Sequence, residues 1–278
     1  NSLESSLTDQ EISFESKLTG KRTITVEGGL DTFQTNYRKS LLALLSTNMR
    51  TSGSDVHPEA PGVPRLVPTS GMIPLFEQSR IQVGLRMAIL NGTLATFWQS
   101  GYLELELTEQ LPDLLEKATV SGKLPPVIRP AAEDEPYQLV VEAGQIEITA
   151  NALNKEDTYG LSLQAGVNVS LKDNKLSLNV PDKPKLETWL IESSEDQPFL
   201  SPDKLRTTIL SQIWPEIKKS LNGGLSIALP APQLSDLATI APTLQDIQVS
   251  FALERPIAVR RGFLLFDSAL KGEIPLGQ

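Results

Sequence analysis

The sequence predicts an α+β protein in which a long, highly twisted antiparallel sheet wraps around one or two long helices. Three observations predict it. Alternating apolar and polar runs recur along the chain, separated by turn residues, and they outnumber the helical patterns. The helical patterns join strands directly, so neither a sandwich, a barrel nor a βαβ repeat fits well. Finally, "IQVGLRMAILNGTLATFWQSGYLELEL", residues 81–107, changes its hydrophobic period twice without a break. It threads one short, nearly all-apolar helix between two half-buried strands.

In chain order, "NSLESSLTDQE" is polar and expected to fray. "EISFESKL" and "RTITVEG" read as strands about a Thr19-Gly20-Lys21 turn. "DTFQTNYRKSLLALLSTNM", residues 31–49, predicts a helix, with Phe33, Tyr37, Leu41, Leu44 and Leu45 on one stripe and Asp31 or Thr32 as N-cap. From Arg50 to Pro74 the chain is rich in Pro, Gly and Ser, and too long for a routine loop. The stretch at 50–74 is therefore expected to join two units, 1–49 and 75–278, or to run along a surface. The sequence opens at Asn1 without an initiator methionine, as expected of a processed or truncated product.

In the second unit, Ile81, Val83, Leu85 and Met87 alternate, and Leu90, Leu94, Phe97 and Trp98 then fall on a helical stripe. After Gly101, Leu103, Leu105 and Leu107 alternate with glutamates, which predicts a strand with its leucines on one side. "LPDLLEKA" reads as a helical turn or two. "PYQLVVEAGQIEITANAL", "TYGLSLQAGVNVSLKDNKLSLNV" and "KLETWLIES" predict an antiparallel meander with one face on the core and one wetted. "SPDKLRTTILSQIWPEIKKSLNGG" is the clearest helix, over 202–222. Ser201 caps it, Pro202 takes the first position, and Gly223 and Gly224 stop it. Its stripe is Leu205, Ile209, Ile213, Ile217 and Leu221, with Leu210 and Trp214 alongside, and Pro215 should bend it. "LSIALPAPQL", "LQDIQVSFALE" and "GFLLFDSAL" close the chain as strands.

Composition excludes several functions. A chain of 278 residues buries roughly three quarters of its unfolded surface and needs no metal or disulfide to fold. The formal charge of −9 argues against nucleic acid and against electrostatic attachment to anionic membranes. With no cysteine and only His57, thiolate metal sites, zinc-protease motifs and Ser-His-Asp or Cys-His catalysis drop out. His57 reads as an ordinary surface residue of the linker. There is no phosphate-binding glycine loop and no nucleophile elbow. A paired-carboxylate glycosidase needs no local motif, but the acidic groups at Glu133–Glu135 and Glu195–Asp196 lie in loops and read as solvated charge. Asp173 and Asn174 suit a hairpin tip without calcium. The triplets Asn91-Gly92-Thr93 and Asn168-Val169-Ser170 are of a kind that arises by chance, and Asn91 sits beside an apolar helical face. No catalytic residue, metal ligand or cofactor is assigned, and the chain is not expected to be an enzyme.

The stretch from Val83 to Leu107 resembles the opening of the C-terminal module in the bactericidal/permeability-increasing protein family, part of the tubular lipid-binding (TULIP) group. The residues that carry the likeness are Gly84-Leu85, Asn91, Leu94, Phe97, Ser100-Gly101 and "YLELEL". The downstream order agrees: a meander, a long helix with an internal proline, the apolar "LSIALPAP", and Phe263 to Leu270. The likeness covers roughly residues 73–272. The chain departs from lipopolysaccharide-binding members in lacking their basic clusters and in having no cysteine; a bacterial member is expected.

The resemblance implies a twisted sheet around a long helix with an apolar pocket beneath, holding a phospholipid or another acyl-chain or sterol-like ligand. The residues expected to line it are Leu90, Leu94, Phe97, Trp98, Leu205, Ile209, Ile213, Trp214, Ile217 and Leu221. Burying an acyl chain of ~14 carbons at roughly 0.8 kcal/mol per methylene gives on the order of 10 kcal/mol. The partners implied are the lipid, a membrane surface met transiently, and either an N-terminal module or a second copy meeting residues 32–48. An exported location is expected: periplasmic, outer-membrane-associated or secreted. Two alternatives stay open. The stripes may be read as packing on the sheet with no cavity, or the module as docking a protein partner without lipid.

Overall fold

A computed structural model of the chain describes residues 10–16, 20–35, 41–52, 55–57, 81–107, 116–152, 155–172, 175–181, 183–215, 218–219, 226–228, 248–253, 257–260 and 262–273. These form an α+β structure dominated by antiparallel strands, with two short helices. The first expected strands are present as β1 (Gln10–Ser16) and β2 (Gly20–Thr35), paired from Gln10↔Val26 to Ser16↔Gly20. Gly20 turns the hairpin at φ 75°, a conformation open to glycine at no steric cost.

The helix expected over residues 31–49 is not there. Residues 31–35 continue β2, and Leu41–Thr51 forms β3, paired with β2 from Ile24↔Thr51 to Thr35↔Leu41 with a bulge between Leu30 and Thr32. A continuous "LLALL" serves a buried strand as well as a helix, and the neighbouring strand decides the matter. The helical stripe on which contact through residues 32–48 was to rest therefore does not exist as such.

Two long strands organise the second part, β8 (Leu139–Ala152) and β9 (Lys155–Lys172). Each has two short strands end to end along its outer edge. β6 (Lys117–Gly122) and β7 (Val127–Pro130) share the edge of β8. β10 (Lys175–Asn179) and β11 (Lys185–Ser193) share that of β9. The ribbon thus parts into two ends as it curls. A register shift between Ala143 and Ile146 marks the parting, with Gln145 at φ 50°; such bulges sharpen twist and bend a strand.

The added bulge residue keeps one face continuous. Leu139 and Val141 before it, and Ile148 and Ala150 after it, point the same way, as do Tyr159, Leu161, Ala165 and Val167 on β9. Two clusters occupy this face, one at each end, with Leu163 packed against both. The other face carries glycines under aromatic rings: a methyl at Gly160 would run into Trp189, and one at Gly166 into Tyr137.

The short helix of residues 81–107 is observed where expected. β4 (Ile81–Arg86) leads without a loop into α1 (Met87–Gln99). β4 pairs with β15 (Phe263–Glu273), which also pairs with β13 (Gln248–Leu253) and β14 (Ala258–Arg260). The strand after Gly101 is only β5 (Leu105–Glu106), on β6. Its expected sidedness fails at Leu105, which is 41% exposed while the Glu104 side chain is 14% exposed, although Leu107 does pack on the core.

The second helix, α2, is α-helical over Pro202–Thr208 and widens to a π-helix over Ile209–Ile213. Ser201 caps it as expected, accepting from the Lys204 N–H at 3.3 Å. The Trp214 N–H reaches back five residues to the Ile209 carbonyl. Pro215 follows at once, offers no N–H and crowds the carbonyl four residues back, so a widened turn is where the ladder yields. Trp214, Pro215, Lys218 and Lys219 are helical. Ile217, Leu221 and the turn at Asp173–Asn174 lie outside the described residues, as do residues 111–115 of "LPDLLEKA", whose end is not helical, since Lys117 and Ala118 begin β6. Of "LSIALPAPQL" the strand β12 (Ser226–Ala228) is described, on β10.

Candidate functional site

α1 is pinned to the sheet. The Asn91 amide donates to the Ile128 carbonyl at 3.1 Å and its oxygen accepts the Ile128 N–H at 2.6 Å. An amide engaged on both sides has a structural task and is no free sugar acceptor. At the helix end the Val56 and His57 N–H groups meet the Gln99 carbonyl at 2.8 and 3.3 Å, filling an acceptor that a helix terminus leaves open.

His57, read from sequence as an ordinary linker residue, is half-buried. Its ring stacks on Trp98 with centroids 4.5 Å apart, and its Nε2 lies 2.9 Å from Glu104 Oε1. Ser121 Oγ donates to the same carboxylate oxygen at 3.1 Å. Glu104 stands between serine and histidine, an order that cannot pass a serine proton to the imidazole. Trp98 is itself spoken for, since its indole donates to the Gly122 carbonyl at 2.5 Å.

Of the ten residues expected to line a pocket, the eight that are described divide as follows. Leu90, with Leu94 packed beside it, shares a cluster with Trp214, below Leu139 and Val167. Leu205, Ile209 and Ile213 share the other, with Ile148, Tyr159 and Leu161. Phe97 is half-buried, edge to face with Tyr102 at 5.1 Å. Trp98 is buried against His57 and belongs to neither cluster. The structure thus lays α1 and α2 on one sheet face in tandem, and Trp214 carries α2 into the cluster of α1.

Beside α2 lies an open groove of about 490 Å³, lined by Lys183, Pro184, Leu186, Arg206, Thr207, Leu210 and Ser211. Pro184 and Leu186 are buried and Leu210 is half-buried, so the floor is apolar. Lys183 and Arg206 are charged at the rim, Arg206 paired with the exposed Asp203 at 3.0 Å. The hydroxyls of Thr207 and Ser211 donate to the Asp203 and Thr208 carbonyls, which leaves their oxygens able to accept. Of these residues the sequence singles out Leu210 alone. The alternation in "KLETWLIES" marks Leu186 as inward, but nothing local says that a helix edge faces it.

The Trp214 indole Nε1 is buried and has no hydrogen-bond partner among the described residues. Elsewhere the polar groups are used in structure. The loop carboxylate Glu135 is bound by Arg129 Nη1 at 3.2 Å and by the Ala132 N–H at 2.6 Å, and the guanidinium first, the N–H second, hold it below the usual carboxylate range. Among the described residues no group of three or more metal-capable side chains occurs, and no helix is long and apolar enough to cross a membrane.

Among solved structures the chain is similar to a lipopolysaccharide binding protein, at 14% identity and a TM-score of 0.39, over 90% of this chain and 55% of that one. The chain spans about half the length of that protein. No family model and no curated protein matches it.

Proposed function

We propose that the chain binds a lipid bearing an acyl chain and passes it between membranes, without catalysing a reaction. The observation that carries this reading is the groove beside α2. It is a shallow, open groove of about 490 Å³, and its lining pairs apolar with basic side chains. Pro184, Leu186 and Leu210 suit hydrocarbon, and Lys183 and Arg206 suit a phosphate or carboxylate head. The order of elements that the family resemblance implies also supports it: β4, α1, a meander, a helix with an interior proline, and β15. An exported location and transient contact with a membrane surface belong to the same proposal.

Native mass spectrometry of the gently purified chain tests it, and a retained acyl lipid is the expected result. Leu210→Trp should fill the groove, expelling the lipid while leaving the melting temperature in place. Ile209→Trp, one residue away but buried in the core, should cost about 1–3 kcal/mol through overpacking. A chain that carries no lipid, takes none from vesicles and loses stability equally in both variants would sink the proposal.

One observation favours a second reading, a module that docks a protein partner. Trp189, Leu190 and Ile191 are 41%, 37% and 49% exposed, consecutive on β11 with a bulge before Glu192. Trp189 lies over Gly160 and Leu190 is paired with Tyr159, so the two point to opposite faces, and it is the exposed end of the strand that suits a contact. The two readings part on the mass spectrum: the docking module carries no lipid.

A further inference from the structure

We propose that the indole N–H of Trp214 is the polar anchor of the bound lipid, donating to the ester or carboxyl oxygen at the head of an acyl chain. This rests on the lipid-binding reading above and names the ligand group that the protein recognises.

Trp214 is 4% exposed, and its Nε1 is buried without an acceptor among the described residues. A buried donor left unmade is costly, and native folds seldom leave one without a reason. This chain satisfies an indole when the role is structural: Trp98, equally buried, donates to the Gly122 carbonyl. The side chains clustered with Trp214, among them Met87, Leu90 and Val180, offer no oxygen. A phenylalanine would fill much the same space without the penalty. What the indole adds is one N–H in an apolar setting, which is how a lipid site fixes a head while leaving the tail free.

Its place in the fold points the same way. Ile213 enters the cluster of α2 and Trp214 that of α1, so the indole stands where the two helices' clusters meet. The π-turn of Ile209–Ile213 ends at it, and wide turns of this kind recur at functional sites. Leu210 and Ser211, which line the groove, precede Trp214 by about one helical turn, roughly 5 Å of rise. Trp214 is not itself among the groove's lining residues, so an acyl oxygen meets the indole by passing inward from the groove beneath α2.

The test uses the lipid-stripped full chain with two probes of similar length, methyl palmitate and heptadecane, delivered from cyclodextrin. The chain has three tryptophans, so ¹⁵N-labelled indoles give three N–H resonances, assigned with Trp189→Phe and Trp214→Phe. Methyl palmitate should move the Trp214 resonance downfield and heptadecane should not. Trp214→Phe should weaken methyl palmitate about five- to tenfold, the worth of one net hydrogen bond, and leave heptadecane unchanged. Methyl palmitate binding with the Trp214 resonance unmoved overturns the anchor and leaves the lipid reading standing. If neither probe binds, the lipid reading falls and the anchor with it. Should Trp214→Phe not fold, Trp98→Phe and Trp189→Phe assign the third resonance to Trp214, and the wild-type chain then decides.

Discussion

Asp157 is 1% exposed, yet its carboxylate is well provided for. It accepts from the Tyr159 hydroxyl at 3.0 Å, Ser193 Oγ at 2.6 Å and the Phe199 N–H at 2.9 Å. One side chain so ties β9 to β11 and to the loop before α2, and the Tyr159 hydroxyl extends the tie by sharing its one proton between Asp157 and the Leu200 carbonyl, 2.7 Å away. Asp157→Ala would strand donors inside the fold at ~1–3 kcal/mol each. A loss of about 3 kcal/mol is expected, read as a lower midpoint in urea unfolding; an unchanged midpoint would mean that water reaches these groups. A pH dependence follows from the same cluster. Burial first, then the hydrogen bond and charge of Asp157, hold the Tyr159 phenol well above its ordinary value. The unfolded phenol therefore ionises first, near the usual pKa of about 10. The stability from this shift is fully present below that pH and is lost as pH rises through and beyond it. Urea midpoints at about pH 8 and about pH 11 should show the fall, and Tyr159→Phe should flatten it.

At the scale of elements, one amide pins α1 to β7. Asn91 meets both backbone groups of Ile128 on β7, so Asn91→Ala leaves an N–H and a carbonyl half-buried and unpaired. About 2 kcal/mol of lost stability is expected, while Thr93→Ala, which removes only a hydroxyl bonded within the helix to the Ile89 carbonyl, should cost less than half of that. Equal thermal shifts would contradict the pinning role. The existence and limits of α1 were legible because Leu90, Leu94 and Trp98 keep helical spacing between two alternating runs. The meander was legible from alternation and turn residues. The strand β3 was not, because "LLALL" satisfies either period and its pairing with β2 is a tertiary fact. Nor was the inward turn of Glu104: alternation assigns leucine to the core, but His57 and Ser121, distant in sequence, offer the carboxylate partners. The groove was half legible for the same reason. Leu210 lies on the helix that the stripe defines, whereas Lys183, Pro184 and Leu186 reach it only through the pairing of β11 with β9.

At the scale of the whole molecule, the proposed lipid transfer makes charge decide which membranes suit the chain. The sequence carries 34 acidic and 25 basic residues, a formal −9. The exposed apolar run of β11 follows this bias, with Glu187 and Glu192 on the same strand and Glu195 and Asp196 just beyond it. Lowering this exposed end of β11 toward a bilayer brings those carboxylates with it. Anionic headgroups would repel them, while neutral headgroups would not, and apolar contact supplies the attraction in either case. Uptake of a fluorescent acyl lipid should therefore be faster from phosphatidylcholine vesicles than from vesicles that also contain phosphatidylglycerol. The gap should narrow as salt is raised from ~0.1 M, where screening acts over about 10 Å, to ~1 M, where it acts over about 3 Å. Replacing Trp189, Leu190 and Ile191 with serine should slow uptake from both kinds of vesicle and leave the lipid already bound in the groove in place. Faster uptake from the anionic vesicles at low salt would mean that Lys183 and Arg206, not β11, meet the membrane first, and would turn the docking geometry toward the groove mouth.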